Sequence, residues 1–220
     1  PPTRPSQWRL ASTRSKRRCA SRGTPGRTLW PARSAHGLAA QGGSGQKRHV
    51  DGMLKSLPDK RGETPRLVHR LDRDTSGCLV VAKTKAAATH FGEVFRSRSA
   101  RKIYWALVAG VPHPKQGDIS CFLAKQGTGD GEQMVVVPNG TAGAVHSQSY
   151  YSTTDVAGRR FAWVTLKPVA GRTHQLRVHM AAAGAPILGD RIYGREPAPP
   201  AGPRLHLHPR RISVPLDRRR

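Results

Sequence analysis

From Arg66 onward the chain sorts into short apolar blocks with recognisable periods. Leu67 to Leu71 and Cys78 to Ala82 are two compact apolar runs of strand type, joined by the polar stretch Asp72-Arg73-Asp74-Thr75-Ser76-Gly77. Gly77 supplies the positive φ that such a turn needs. Thr84 is placed to cap a helix running to about Ser97, because Ala88, Phe91 and Phe95 recur at helical spacing. Arg101 to Val111 alternates as a strand, and further strands are expected at 118–124, 133–138, 145–153 and 160–168. A second helix is expected over 173–183, capped by Thr173 and ended by Gly184. Many strands in antiparallel-looking succession with few helices predict an α+β domain on a bent, mixed, mainly antiparallel sheet with flanking helices. The chain has no internal repeat.

Before Asp51 no period of 2 or 3.6 is sustained. Residues 1–50 hold 11 Lys and Arg and no acid, with Pro, Ser and Gly throughout. They read as a disordered basic arm, and their composition equally fits an organelle transit segment. The Gly-rich "QGGSGQKR" at 41–48 lacks the GxxxxGK[ST] spacing of a phosphate loop and reads as a surface loop. The expected division is therefore 1–36 as arm or targeting segment and 37–220 as one domain.

Charge changes the picture more than length does. Lys and Arg number 38 against 13 Asp and Glu, a net +25. Phosphate contacts by such residues release condensed counterions, so a polyanionic partner, RNA or DNA, is the natural inference. Cys19, Cys78 and Cys121 form no CxxC pair, which argues against a disulfide framework or a thiolate zinc site. The pairs His206/His208 and His174/His179 lack an evident third ligand, so no metal is expected. No apolar run approaches the ~20 residues a membrane span requires. A soluble cytoplasmic monomer is expected, or a mitochondrial or plastid one if residues 1–36 are a transit segment.

In a chain with so few acids, two of them in one turn invite explanation. Asp commonly caps turn backbone through its short side chain, and that reading suffices for Asp74. A carboxylate at a strand end beside Arg70 and Arg73 is also how an ionised nucleophile would be held. His69 reads as a buttress of the turn.

The stretch "HRLDRDTSG" at 69–77 resembles the signature of the RluA/RluC-type pseudouridine synthases, large-subunit ribosomal RNA branch. "RKIYWALVAG" at 101–110, "GRTHQLRVHMAAAGAPILGDRIYG" at 171–194 and "RLHLHPRRI" at 204–212 resemble later family segments in family order. The resemblance implies a pseudouridine synthase catalytic domain that isomerises uridine to pseudouridine in structured RNA, most of all large-subunit rRNA, with tRNA open. It implies no cofactor. By it Asp72 is the catalytic carboxylate, Arg177 the arginine that pairs with it, and Tyr104 the tyrosine that packs against the target base. Leu176 would line the same pocket. Arg70 would enter the space left by an extruded base, whose unstacking costs a few kcal/mol, and Arg73, Lys102, Arg172, His174 and Gln175 would contact RNA.

Family members carry, ahead of the Gly-rich region, a strand ending in Lys-Pro. "TLWPARSAHGLAA" at 28–40 shows no such apolar strand, so the N-terminal part of the sheet is expected to be incomplete. Two rival functions fit less well. A non-catalytic RNA-binding or ribosome-assembly factor would keep the fold, but Asp72, Tyr104 and Arg177 are all in place. A glycoside hydrolase needs two carboxylates flanking a sugar, which two acids in one tight turn suit poorly.

Overall fold

The structure, a computed structural model, describes residues 28–42, 48–60, 62–127, 133–194 and 204–215. The chain divides into two compact units, one of residues 1–101 with 209–220, the other Lys102–His208. The boundary expected at 36–37 lies inside the first unit.

In the first unit β1 (Leu29–Ser34), β3 (Gly77–Ala82) and the two-residue β2 (Arg66–Leu67) form a three-stranded antiparallel sheet with β3 in the centre. "GCLVVA" is apolar almost throughout because both of its faces are buried. Leu79 and Val81 join Ala32, Leu71 and the short helix α1 (Val50–Leu54) in one cluster, while Ala82 joins Val68, Ala87, Phe91 and Val94 in another. The second cluster is built on α2 (Lys85–Arg96), whose N-cap is Thr84: its hydroxyl accepts from Ala87 N at 3.2 Å, as its position predicted.

β1 is the strand expected to be missing. It pairs with β3 along its full length, from Leu29 opposite Ala82 to Ser34 opposite Gly77. Pro31 concealed it, yet β1 lies at a sheet edge, where a residue without an N–H is tolerated. The N-terminal part of the sheet is thus more complete than the sequence suggested, and β1 falls within the segment read as an arm. Residues 1–27 lie outside the described residues. The strand expected over 67–71 shrinks to Arg66–Leu67, because Val68 and Leu71 turn into different clusters.

In the second unit β4 (Arg101–Ala109), β5 (Gln116–Gln126), β6 (Gln133–Val137), β7 (Val145–Ala157) and β8 (Phe161–Pro168) lie in the order β6-β5-β7-β8-β4, with the start of β9 (Leu207–Ser213) beyond β4. The named neighbours from β6 to β4 are antiparallel. All five expected strands are present. With three helices and mainly antiparallel strands among the described residues, the fold class is α+β as read, the strands being shared between two sheets.

One face of this sheet packs on α3 (Gln175–Ala182). Tyr104, Ala106 and Val108 of β4, Ala162, Val164 and Leu166 of β8, and Leu176 and Met180 of α3 make one core. Helix α3 buries six consecutive residues, Gln175 to Met180, so its polar members need internal partners. Gln175 donates to Gln148 O and Ser149 Oγ, both at 2.9 Å, and its Oε1 accepts from Arg172 N at 3.1 Å. His179 Nε2 meets Ser147 Oγ at 2.8 Å, and burial pushes its imidazole down to about 4, with His146 adding to the effect. The cap differs from expectation: His174 rather than Thr173 precedes the helix, in the left-handed region at φ 51°, with no side-chain cap bond. Gly184, at φ 74°, ends it as predicted.

Candidate active site

The acidic turn of the first unit is staked at both ends. Leu71 and Thr75 are buried on either side of Asp72, whose carbonyl accepts from Thr75 N at 3.0 Å. The next carbonyl, of Arg73, accepts from Gly37 N at 2.9 Å. Ahead of them His69 Nε2 accepts from Val80 N at 2.9 Å and its ring stacks on Phe95 at 4.5 Å, which ties the approach to β3 and α2 and gives His69 its buttressing part. Behind them Gly77 takes φ 142°, and a Cβ there would meet Pro209 Cδ and Cγ at 2.7 Å. Only glycine serves at that position, for conformation and for space.

This frame leaves the Asp72 side chain half-buried, with no hydrogen bond to its carboxylate among the described residues. Arg70 and Arg73 are exposed beside it. Asp74 is otherwise engaged: Arg73 Nε approaches its Oδ1 at 3.4 Å in an exposed pair. The two carboxylates of the turn therefore differ in kind, one presented by the backbone and one occupied at the surface.

In the second unit Arg177 is 2% exposed, which rules out a surface helix arginine. Its partner there is an acid to which the sequence alone assigned no part. Arg177 Nε and one terminal nitrogen each donate to Asp190 at 2.7 Å, a bidentate pair in which both side chains are buried. Burial alone would raise the Asp190 carboxyl. The Arg177 bonds and charge, with the N–H groups of Ile192 and Tyr193, outweigh that and hold it below its usual range. The Tyr193 ring lies 5.2 Å from the Arg177 guanidinium, and its hydroxyl lies 3.0 Å from His174 Nδ1 and accepts from Met134 N at 3.0 Å. Asp190 and Tyr193 belong to "GDRIYG"; the signal for them was that a buried arginine requires a carboxylate nearby.

Tyr104 is 8% exposed and sits in the α3-facing core, as does Leu176. Gln175 was expected to touch RNA; its amide is spent on the internal bonds described above, so its structural part is to hold the start of α3. His174 is half-buried against Tyr193, and Arg172 is exposed. Lys102 is half-buried with its ammonium pushed down by burial, and Gly171 leaves it room, since a Cβ there would lie 3.2 Å from its Nζ. Among the described residues no cluster of three or more His, Cys, Asp or Glu could hold a metal ion, and no helix is long and apolar enough to cross a membrane.

The α+β scaffold of antiparallel strands thus carries a half-buried carboxylate beside two exposed arginines. The family model described as RNA pseudouridylate synthase matches residues 35–182, and the chain belongs to that family. It is 38% identical to RNA pseudouridine synthase 4, mitochondrial, of Arabidopsis thaliana, over 82% of this chain and 48% of that protein. Identity is 42% with the dual-specificity RNA pseudouridine synthase RluA of Salmonella typhimurium, over 67% of this chain and 65% of that one. Among solved structures, human RNA pseudouridylate synthase domain containing 1 superposes with a TM-score of 0.69 at 29% identity, covering 87% of this chain and 77% of that one. The chain thus spans about half to two thirds of the length of these two curated relatives.

Proposed function

We propose that this protein isomerises uridine to pseudouridine in structured RNA, with large-subunit rRNA as the substrate and Asp72 as the catalytic carboxylate. The observation that carries the reading is the Asp72 turn: a half-buried carboxylate, positioned by backbone bonds and two buried neighbours, between exposed arginines. The reaction breaks the bond between uracil N1 and ribose C1′, rotates the uracil and joins its C5 to C1′, with the C5 proton lost and N1 taking up a proton. It needs an ionised carboxylate at the sugar or the ring, the part assigned to Asp72. Arg70 is exposed next to that carboxylate, where a planar cation can take the place of an extruded base. Arg177 enters through the family resemblance, and the bidentate hold of Asp190 supplies the fixed guanidinium such a role requires.

The test is single-turnover conversion on in-vitro-transcribed large-subunit rRNA with saturating protein, read by chemical mapping of pseudouridine. Conversion at one or a few discrete uridines is expected. Binding without conversion would instead make the chain a non-catalytic RNA-binding factor on the same fold. Location follows from residues 1–36: a transit segment would deliver the protein to an organelle, as the name of the Arabidopsis relative says of that protein. An RNA-binding arm would stay on the enzyme in the cytoplasm. N-terminal sequencing of the protein recovered from cells distinguishes the two.

A further inference from the structure

The six-stranded sheet has a second face, turned away from α3, and its composition is unusual. Alternation sends Tyr104, Ala106, Ala162, Val164 and Leu166 into the core, so their neighbours in sequence point the other way. Outward positions of a one-sided antiparallel sheet are ordinarily polar. Here they include Tyr150, 44% exposed, and Trp163, 37% exposed. Trp105 meets Trp163 edge to face at 4.9 Å.

Cations sit directly on this aromatic surface. Lys167, opposite Tyr150 in the β7–β8 register, places Nζ 5.3 Å from the Tyr150 ring, and the Arg160 guanidinium lies 5.3 Å from the Phe161 ring. The face also carries two acids, each already engaged. Asp118 accepts from Gln148 Nε2 at 3.0 Å, and Asp155 accepts from Val156 N at 2.8 Å. Tyr150 and Trp163 stand on adjacent strands about four residues apart along the strand direction, roughly 13 Å, which leaves room for more than one stacked ring between them.

We propose that this open face is a binding platform for single-stranded RNA, on which unpaired bases stack on Tyr150 and Trp163 while Lys167 and Arg160 take phosphates. Exposed rings with Lys167 over Tyr150, and with Arg160 over Phe161 two residues from Trp163 on the same strand, match the two parts of a nucleotide, its base and its phosphate, and the stacking tolerates any sequence. The net charge of +25 favours a polyanion over a protein surface of like composition. The platform would hold RNA beyond the uridine being modified, and it stands whether or not Asp72 is catalytic.

The experiment uses the full chain and a fluorescent 12-nucleotide oligouridylate, with an RNA duplex of the same length as control. Wild-type protein is expected to bind the single strand with quenching of tryptophan emission. The Tyr150→Leu/Trp163→Leu variant keeps apolar bulk on the surface but removes the π faces, so single-strand affinity should fall at least tenfold while duplex affinity stays within twofold. Tyr150→Phe/Trp163→Phe should restore most of it. Unchanged single-strand affinity in the leucine variant overturns the proposal. So does a wild-type dimer, seen by sedimentation, that dissociates in the variant with RNA affinity intact, since the face would then join two copies of the chain. Pseudouridine formation on rRNA by the wild-type protein, measured in parallel, reads the catalytic proposal separately, so a failure of that reading cannot be mistaken for a failure of this one.

Discussion

Arg177 and Asp190 meet in a two-point ion pair, both bonds at 2.7 Å, with neither side chain open to solvent. A pair of this kind is costly to break from one side, because the survivor is left as an uncompensated buried charge. Arg177→Met and Asp190→Asn should each lower stability by about 3–5 kcal/mol in urea titrations. The double variant Arg177→Met/Asp190→Asn should lose less than the two singles added together, since no lone charge remains. Additive losses would mean that the two groups are not coupled.

The acidic turn separates its two carboxylates by role. Asp72→Asn keeps size and removes the charge, so pseudouridine formation should fall below detection while RNA binding stays within a few-fold. Asp74→Asn gives up only an exposed 3.4 Å approach to Arg73 and should cost at most about 1 kcal/mol, with turnover retained. Single-turnover rates with saturating protein decide between them; an inactive but folded Asp74→Asn would reverse the assignment.

Acid should unfold the protein partly through His179. Its folded value of about 4 lies below the usual 6.5, so the unfolded chain takes up the proton first as pH falls. Stability is therefore complete above about pH 6.5, declines below it, and by about pH 4 has fallen by on the order of 3 kcal/mol. His206, also pushed down by burial, acts in the same direction. Urea midpoints at several pH values should show this slope in the wild type and a shallower one in His179→Gln.

Gly77→Ala should destabilise the first unit by at least roughly 1–3 kcal/mol, from the strained φ alone, with the clash against Pro209 in addition. A thermal melt that matches wild type would show that the backbone there relaxes without penalty.

The basic segment before β1 can be tested without touching the sheet. Removing residues 1–27 deletes eight Lys and Arg and leaves Leu29–Ser34 in place. If the segment binds RNA, the dependence of affinity on salt should become shallower, by about 0.7 in log–log slope for each single-strand phosphate that the shortened chain no longer neutralises. An unchanged slope would assign the segment to targeting.

What the sequence disclosed was what local period encodes. The alternation in "RKIYWALVA" and the spacing of Phe91 and Phe95 locate β4 and α2 because one face of each is buried. Helix α1 escaped notice because five residues give too short a period, and its cap is His49, whose Nδ1 accepts from Gly52 N. β1 escaped because Pro31 is tolerated only by virtue of an edge position that no local pattern reveals. At the candidate site, Asp72 stands out by its motif, whereas the Arg177–Asp190 pair does not: the partners are 13 residues apart, and only the burial of α3 on all sides makes a carboxylate there necessary. The same burial turned Gln175 from an expected RNA contact into an internal tie.

The division of the chain has a consequence for its birth. The first unit is discontinuous, its final segment beginning at Pro209, and Gly77, at the end of the Asp72 turn, packs directly under that proline. Cys78 likewise points its thiol at the Arg210 carbonyl, 3.5 Å away. On the ribosome every residue of the inserted unit, Lys102–His208, emerges before this closing piece, an interval of roughly 5–20 s at ordinary elongation rates. The carboxylate-bearing turn thus receives this packing partner only after the whole of the second unit has been made. A message truncated ahead of Pro209 yields a chain with the whole of the second unit and an unfinished first.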